Sequence, residues 1–81
     1  MVHYVYLLRS QTAPTERYVG LAEDLRKRLQ SHNARMSRHT AKFKPWIIVT
    51  YVAFSNRAKA ETFERYLKSG SGHAFANRRL W

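Results

Sequence analysis

Apolar residues form two dense runs and one short run along the chain, and these predict the strands. Residues 3–9 (HYVYLLR) and 46–54 (WIIVTYVAF) are rich in β-branched and aromatic types, as strands are. Both runs are apolar at odd and even positions alike, so we expect both to be central strands. Residues 17–20 predict a short strand that pairs with the first run as a hairpin across the polar turn at Pro14.

The segment 23–33 shows the three- and four-residue spacing of an amphipathic helix. Its apolar stripe is predicted to face the core, and two acids are predicted in its first turn, at the positive end of the helix dipole. The stripe consists of Leu21, Leu25 and Leu29, and the acids are Glu23 and Asp24. Asn33 is predicted to end the helix because it tolerates a left-handed conformation. Residues 34–45 have no clear period and predict a basic surface loop.

A second helix is predicted from a cap at Ser55 or Asn56 to about Lys68, where Ser69 to Gly72 end it. Its buried stripe is Ala60, Phe63 and Leu67. Residues 73–81 are expected as a short helix or an extended tail. The pattern therefore predicts one α+β domain over residues 1–81, with a small, mostly antiparallel three-stranded sheet flanked by helices in the order strand, strand, helix, strand, helix, tail.

Composition adds a strong basic charge to this picture. Fifteen Lys and Arg stand against five Asp and Glu, a formal net charge of +10. This excess predicts an anionic partner, and nucleic acid is the best match for a compact domain. The absence of cysteine excludes disulfides and thiolate metal sites and fits a cytoplasmic location. We expect no signal peptide and no association with membrane, because no apolar run has the length that either would need.

Five polar side chains fall at positions that a simple surface role does not explain. Tyr6 and Tyr18 lie on the two hairpin strands, Arg28 and His32 on the predicted inner face of the first helix, and Glu64 at the edge of the second helical stripe. Each also has a purely structural interpretation. The tyrosines could be ordinary strand aromatics, the histidine a partner of the helix dipole, and the glutamate a partner of a nearby lysine or arginine.

Taken together, these residue types suit phosphodiester hydrolysis. A carboxylate can bind a hard divalent cation such as Mg²⁺ and leave the other positions to water and phosphate. The cation and a guanidinium neutralise charge that develops on the phosphate, and a phenol or imidazole accepts the proton of the attacking water. One carboxylate and one ion are expected, since the other acids are predicted in turns or on exposed faces. These acids are Glu16, Glu23, Asp24 and Glu61.

The spacing of these residues resembles that of the GIY-YIG nucleases, in particular the small stand-alone bacterial domains related to the nuclease half of the nucleotide-excision endonuclease. The tripeptide 4–6 (YVY) stands at the GIY position and 18–20 (YVG) at the YIG position. Arg28 follows the second tyrosine by ten residues, and His32 follows Arg28 by four. Residues 60–68 match the segment that carries the metal-binding glutamate of the family.

The resemblance covers nearly the whole chain, from residue 2 to about residue 80, with three departures. Tyr4 replaces the first glycine of the motif. Leu21 stands where the excision enzymes carry a lysine, and Lys42 or Lys44 would then supply that phosphate contact. Asn77 is the candidate for an asparagine found late in the family.

The resemblance implies a metal-dependent endonuclease that cuts DNA, with a role in DNA repair and one Mg²⁺ or Mn²⁺ ion. It assigns Glu64 to the metal and Arg28 to the phosphate. Tyr18 or Tyr6 would position or deprotonate water, and His32 would assist as a hydrogen-bond partner or base. The basic residues expected to bind nucleic acid are Arg26, Lys27, Arg35, Arg38, Lys42, Lys44, Lys68, Arg78 and Arg79.

The expected substrate is DNA recognised by structure rather than sequence, such as branched, nicked or damaged DNA, because a small basic domain holds phosphates better than it reads bases. No small-molecule cofactor is expected. Two alternatives stay open: a binding module on the same fold with weak or no catalysis, and an RNA-directed module whose aromatic residues stack on unpaired bases.

Overall fold

The computed structural model describes residues 1–34 and 41–81, which form an antiparallel three-stranded sheet with helices on both faces. The strands are β1 (His3–Ser10), β2 (Arg17–Ala22) and β3 (Trp46–Phe54), and the helices are α1 (Leu25–Asn33), α2 (Arg57–Leu67) and α3 (Gly70–Arg79). This order confirms the predicted α+β class. None of the helices in the described part of the chain is long and apolar enough to cross a membrane.

The strand order is β2-β1-β3, with β1 in the middle and antiparallel to both neighbours. The prediction that residues 46–54 form a central strand is therefore wrong, whereas the same prediction for residues 3–9 is confirmed. Strand β3 lies at an edge, and its residues Tyr51 and Ala53 are exposed. Strand β3 is apolar on both faces because helices cover most of each face, although only one of its two edges pairs with another strand.

The alternation of side chains along β1 separates two cores on opposite faces of the sheet. Val5 and Leu7 are fully buried against α2 and α3, in a core that includes Ala60, Leu67 and Ala76. Tyr6 and Leu8 face the other way and pack with Ala22 and Trp46 against Leu25 and Leu29 of α1. Helices α1 and α2 thus lie on opposite sides of the sheet.

Helix α1 begins two residues later than predicted, at Leu25. Asp24 is its N-cap, and the Asp24 carboxylate accepts a hydrogen bond of 3.0 Å from the backbone N–H of Lys27. Glu23 lies before the helix, 3.8 Å from His3 Nδ1. Both acids predicted in the first turn therefore lie before it. Aspartate is among the preferred N-cap residues, so Asp24 caps the helix, and Glu23 precedes the cap.

The end of α1 is tied to the sheet by a side chain, and not by the left-handed conformation predicted for Asn33. The Asn33 amide accepts a hydrogen bond of 2.7 Å from the Trp46 backbone N–H and donates one of 3.3 Å to the Trp46 carbonyl. The last helical residue is Asn33, as predicted, and the C-cap Ala34 has a φ of −100°, outside the left-handed region. This pair of bonds fixes the last turn of α1, and with it His32, against the start of β3.

Helix α2 has the predicted cap, Asn56, whose side chain accepts a hydrogen bond from the Lys59 backbone N–H. The four residues predicted to end it instead begin another helix. Ser69 is the N-cap of α3 and accepts a hydrogen bond of 3.2 Å from the Gly72 backbone N–H. Gly72 packs so closely on α2 that a Cβ there would collide with the carbonyl of Tyr66.

Candidate functional site

The two motif tyrosines lie side by side where β1 and β2 pair. Tyr6 is opposite Gly20 and Tyr18 is opposite Leu8, so both rings are on the face covered by α1, with centroids 6.1 Å apart. The Tyr6 hydroxyl lies over Gly20, where a Cβ would collide with it and would also lie 2.9 Å from Tyr18 Cε1. Glycine at this position therefore makes the room that the Tyr6 phenol occupies.

His32 completes a buried group with the two tyrosines. Its Nε2 lies 3.0 Å from the Tyr6 hydroxyl, and its ring centroid is 4.7 Å from that of Tyr18. Tyr6 is 2% exposed and His32 is 5% exposed. The prediction that His32 faces inward is confirmed, and its hydrogen bond explains how a polar ring is accommodated in the core.

The surroundings of this group fix its protonation at neutral pH. Burial raises the pKa of the Tyr6 phenol well above its ordinary value of 10.0, with further increases from Tyr18 and Glu64 that outweigh the opposing charge of Arg28. Burial, followed by the positive charge of Arg28, lowers the pKa of His32 below 6.5. Tyr6 therefore keeps its proton and His32 is neutral, and the donor of their hydrogen bond is set by which imidazole nitrogen carries the proton.

Arg28 lies at the rim of this group and not inside it. The expectation that its side chain turns into the core is wrong, because the structure leaves Arg28 exposed. It lines an open groove together with Lys27 and with Arg57, the first residue of α2. Its charge still acts on both Tyr6 and His32. A solvent-facing guanidinium beside a buried phenol is well placed to receive a phosphate from outside.

Glu64 belongs to the helix on the opposite side of the sheet from Arg28. It lies on α2, yet its charge acts on Tyr6 together with that of Arg28. Its side chain is 21% exposed, and Lys68 Nζ is 2.8 Å from Glu64 Oε2. The ion pair between residues one helical turn apart is therefore present, as the structural interpretation expects, and the same carboxylate also raises the pKa of Tyr6.

The donor set around Glu64 fits one kind of metal ion. The described residues contain no group of three His, Cys, Asp or Glu that could hold a metal, so they offer no fully protein-ligated site. Mg²⁺ does not need one, because it keeps several waters and binds through one or two carboxylates plus substrate phosphates. A partly exposed single carboxylate fits Mg²⁺ or Mn²⁺ held in this way, with Lys68 as its competitor for one oxygen.

The late asparagine is engaged elsewhere. Asn77 Oδ1 accepts a hydrogen bond of 2.8 Å from Arg17 Nη1, and the Arg17 guanidinium lies 4.7 Å from the centroid of a Trp81 ring. These residues join the start of β2 to the end of the chain. A second groove opens between them and the site, lined by Tyr18 and Lys68 among others. Asn77 thus holds the side chain of Arg17, which lines this groove.

The remaining basic residues predicted to bind nucleic acid divide by position. Lys27 lines the groove of Arg28, and Lys68 lines the groove that includes Tyr18. Arg26 and Lys42 are exposed, Lys44 is half-buried, and Arg78 and Arg79 are exposed in the last turn of α3. Arg35 and Arg38 lie outside the described residues.

Sequence reasoning missed three residues that shape the site. The sequence places Gly20 only as the last residue of the YVG tripeptide, whereas its position opposite Tyr6 in the hairpin register gives it a steric role. Arg57 and Arg17 were not singled out, because nothing local distinguishes them from other surface arginines. Only the packing of α2 and α3 against β2 brings them to the two grooves.

Comparison with known proteins agrees with this geometry. A family model described as the GIY-YIG catalytic domain matches residues 2–77. The solution NMR structure of the UPF0213 protein BH0048 from Bacillus halodurans aligns over 99% of this chain and 87% of its own, with a TM-score of 0.58 and 24% identity, which supports the fold. No curated protein shows a significant match. Since the family model spans both tyrosine motifs, Arg28 and Glu64, this chain belongs to the GIY-YIG catalytic domain family, which is generally a family of nucleases.

Proposed function

We propose that this protein is a metal-dependent endonuclease that hydrolyses phosphodiester bonds in DNA. One observation carries the proposal: Tyr6, Tyr18 and His32 form one buried group on the face that α1 covers, with the Tyr6 hydroxyl 3.0 Å from His32 Nε2. Arg28 of α1 and Glu64 of α2 both lie near enough to influence the pKa of Tyr6, in opposite directions. A phenol, an imidazole, a guanidinium and a carboxylate are groups that suit phosphodiester hydrolysis. Membership of a nuclease family supports the same chemistry.

Glu64 is the proposed metal ligand. A divalent ion bound there would supply positive charge to the phosphate oxygens and lower the pKa of a bound water. The Glu64 carboxylate would exchange its bond to Lys68 for the cation, which is possible because the pair is partly exposed and short-range ion pairs of this type are weak. Lys68 is then released beside the groove that Tyr18 lines, where it can contact a backbone phosphate.

Arg28 is the proposed phosphate ligand. Its planar guanidinium can donate two parallel hydrogen bonds to a phosphate, and the transition state carries more charge on these oxygens than the ground state does. Lys27 and Arg57 line the same groove and would hold neighbouring phosphates. These contacts carry no sequence information, which favours a substrate recognised by its structure, such as branched, nicked or damaged DNA.

Tyr6 and His32 provide a path for the proton of the attacking water. In the tautomer with an unprotonated Nε2, Tyr6 donates to His32, and its oxygen can accept a proton from the water as its own proton moves to the imidazole. The phenol stays neutral throughout, in keeping with its raised pKa, and His32 holds the proton only transiently, because burial and the charge of Arg28 lower the pKa of this imidazole. Tyr18, which is less buried and packs against both rings, is proposed to position the water.

The proposal is tested by incubating the protein with plasmid, nicked and branched DNA, in Mg²⁺, in Mn²⁺ and with chelator. We expect metal-dependent cutting that is strongest on nicked or branched DNA. Arg28→Lys should lower the rate on the order of 10-fold or more, because an ammonium cannot form the planar pair of bonds. Arg26→Lys, on the same helix, is the matched control and should cut as the wild type does. Cutting that persists in chelator would contradict the proposal.

A second function is favoured by one observation, the 2.8 Å ion pair that occupies a Glu64 oxygen. If Lys68 holds the carboxylate against Mg²⁺, the domain is a nucleic-acid-binding module on the nuclease fold. It would then bind DNA or RNA with a strong dependence on salt and leave every substrate uncut. Metal-dependent cutting lost in Glu64→Ala would exclude this alternative.

A further inference from the structure

An aromatic surface lies on α2 and α3, away from the proposed catalytic centre. Tyr66 is 39% exposed and Phe75 is 38% exposed, and their ring centroids are 6.0 Å apart. Phe63 lies 6.3 Å from the first ring and 6.4 Å from the second, and Phe54 lies 5.4 Å behind Phe63. We call these four rings the aromatic surface; its inner two rings are anchored in the fold and its outer two face solvent.

The aromatic surface is on the flank of α2 that turns away from Glu64. Lys59 and Tyr66 are seven residues apart, which places them two turns from each other along one side of the helix. Together with Phe63 they line an open groove that extends to the end of β3. Glu64 is about 160° away from Tyr66 around the helix axis. A ligand on this groove would not occupy the proposed catalytic centre.

The charges around the aromatic surface are positive. Lys59 lines the groove, and none of the described residues that line it is acidic. Arg78 and Arg79 follow Phe75 by three and four residues, so they share its side of α3. The two acids of α2 are on the other flank, where Glu61 is 3.9 Å from Arg57 and Glu64 pairs with Lys68.

We propose that the aromatic surface binds unpaired bases of a single-stranded nucleic acid segment. Exposed rings flanked by cations are the elements that bind single strands, since bases stack on the rings while Lys and Arg hold the backbone. A second copy of this chain fits less well, because each copy carries a net charge of +10 and would bring like charges together. That the strand is DNA rests on the proposed function. The inference adds to that function that the substrate contains unpaired bases.

Binding is measured by fluorescence anisotropy in chelator, so that no cutting occurs. The probes are a labelled thymidine oligonucleotide of about 12 nucleotides and an abasic strand of the same length, which keeps the phosphates and lacks the bases. We expect the wild type to bind the thymidine strand on the order of 10-fold more tightly than the abasic strand. Tyr66→Leu should remove most of this difference without weakening binding to the abasic strand.

Two further variants separate stacking from general effects. Tyr66→Phe keeps the ring and should bind as the wild type does. Tyr51→Leu removes a tyrosine that is 54% exposed on the opposite face of the sheet, and it should leave the preference for bases unchanged. Thermal unfolding of each variant shows that the loss in Tyr66→Leu is not a loss of fold.

The outcomes distinguish this inference from the proposed function. Equal binding of the thymidine and abasic strands by the wild type would overturn the inference, even if the protein cuts DNA. Sedimentation showing a dimer that Tyr66→Leu dissociates, with no preference for bases, would overturn it in favour of a second copy. A preference for bases that depends on the Tyr66 ring would support it, even if no DNA is ever cut.

Discussion

The proposed catalytic centre has a buried half and an exposed half, and the two are built differently. Tyr6 and His32 are 2% and 5% exposed and are held by packing, by their mutual hydrogen bond and by the space over Gly20. Arg28 is exposed and Glu64 has a side chain that is 21% exposed, with a single lysine as its ion-pair partner. The neutral groups are thus fixed by the core, whereas the charged groups lie where solvent reaches them.

This difference follows from the cost of burying charge. A phenol and an imidazole can be buried as a hydrogen-bonded neutral pair, but a guanidinium or carboxylate left without a partner in the core would cost several kcal/mol. The charged groups must also exchange their present partners for phosphate or cation. We therefore expect substitutions in the exposed half to alter activity alone, and substitutions in the buried half to alter activity and stability together.

The largest expected effect on activity is in the exposed half. Glu64→Gln removes the charge that would hold the cation, and we expect cutting to fall by about 10²–10³-fold or more. The free energy of unfolding, measured by urea denaturation, should change by less than about 0.5 kcal/mol because the pair is partly exposed. Glu61→Gln, which lies on the same helix, is the control. If the two variants retain equal activity, Glu64 has no special role.

The next largest effect is expected for a substitution in the buried half, which should lower both the rate of cutting and the free energy of unfolding. Gly20→Ala places a Cβ where the Tyr6 hydroxyl lies, so the phenol must move. We expect a loss of about 1–3 kcal/mol of stability and a fall in cutting of about 10²-fold, since misplacement of a reacting group by 1 Å can have that effect.

Gly70→Ala is the matched control for the Gly20 substitution, because an added Cβ there has no atom within 4 Å. It should leave cutting unchanged and raise stability by at most about 1 kcal/mol. Wild-type stability and cutting in Gly20→Ala would show that the position of Tyr6 is not constrained by this glycine.

The pH dependence of stability gives a smaller effect in the buried half. Because the folded state lowers the pKa of His32, the unfolded chain takes up a proton as the pH falls through about 6.5 while the folded chain does not. The stability contributed by neutral His32 is therefore complete above that pH and is lost below it. We expect wild type to lose more stability than His32→Gln between about pH 7.5 and pH 5.5. Parallel unfolding curves for the two proteins over this range would contradict the assignment.

The smallest effect concerns the ion pair in the exposed half. Lys68→Gln should change the free energy of unfolding by only about 0.2–0.5 kcal/mol, as expected for an exposed pair four residues apart on a helix. Because the lysine competes with the cation, the Mg²⁺ concentration for half-maximal cutting, at saturating DNA, should fall by about 2-fold. Arg65→Gln is the control on the same helix. A higher Mg²⁺ requirement in Lys68→Gln than in the control would mean that the lysine assists the metal site.

Much of the fold was predictable because its signals are local. The strands at 3–9 and 46–54 follow from their β-branched and aromatic content, and the hairpin between β1 and β2 from the short polar turn at Pro14. The cap of α2 at Asn56 follows from capping chemistry. The spacing of the tyrosines, Arg28, His32 and Glu64 likewise pointed to one chemistry before any coordinates. The inward position of His32 followed from the helical stripe and is confirmed.

What the sequence by itself determined is thus the set of elements and the residue types of the site, and the tertiary structure decided how they meet. The strand order could not be predicted from the apolar pattern. A strand is apolar on both faces when helices cover both faces, whether it lies in the middle of the sheet or at its edge, and β3 lies at the edge. The exposure of Arg28, the helix at Gly70–Arg79 and the role of Gly20 depend on contacts between residues far apart in sequence. Local periodicity carries no information about such contacts, because it specifies which face of an element is apolar and not which partner covers it.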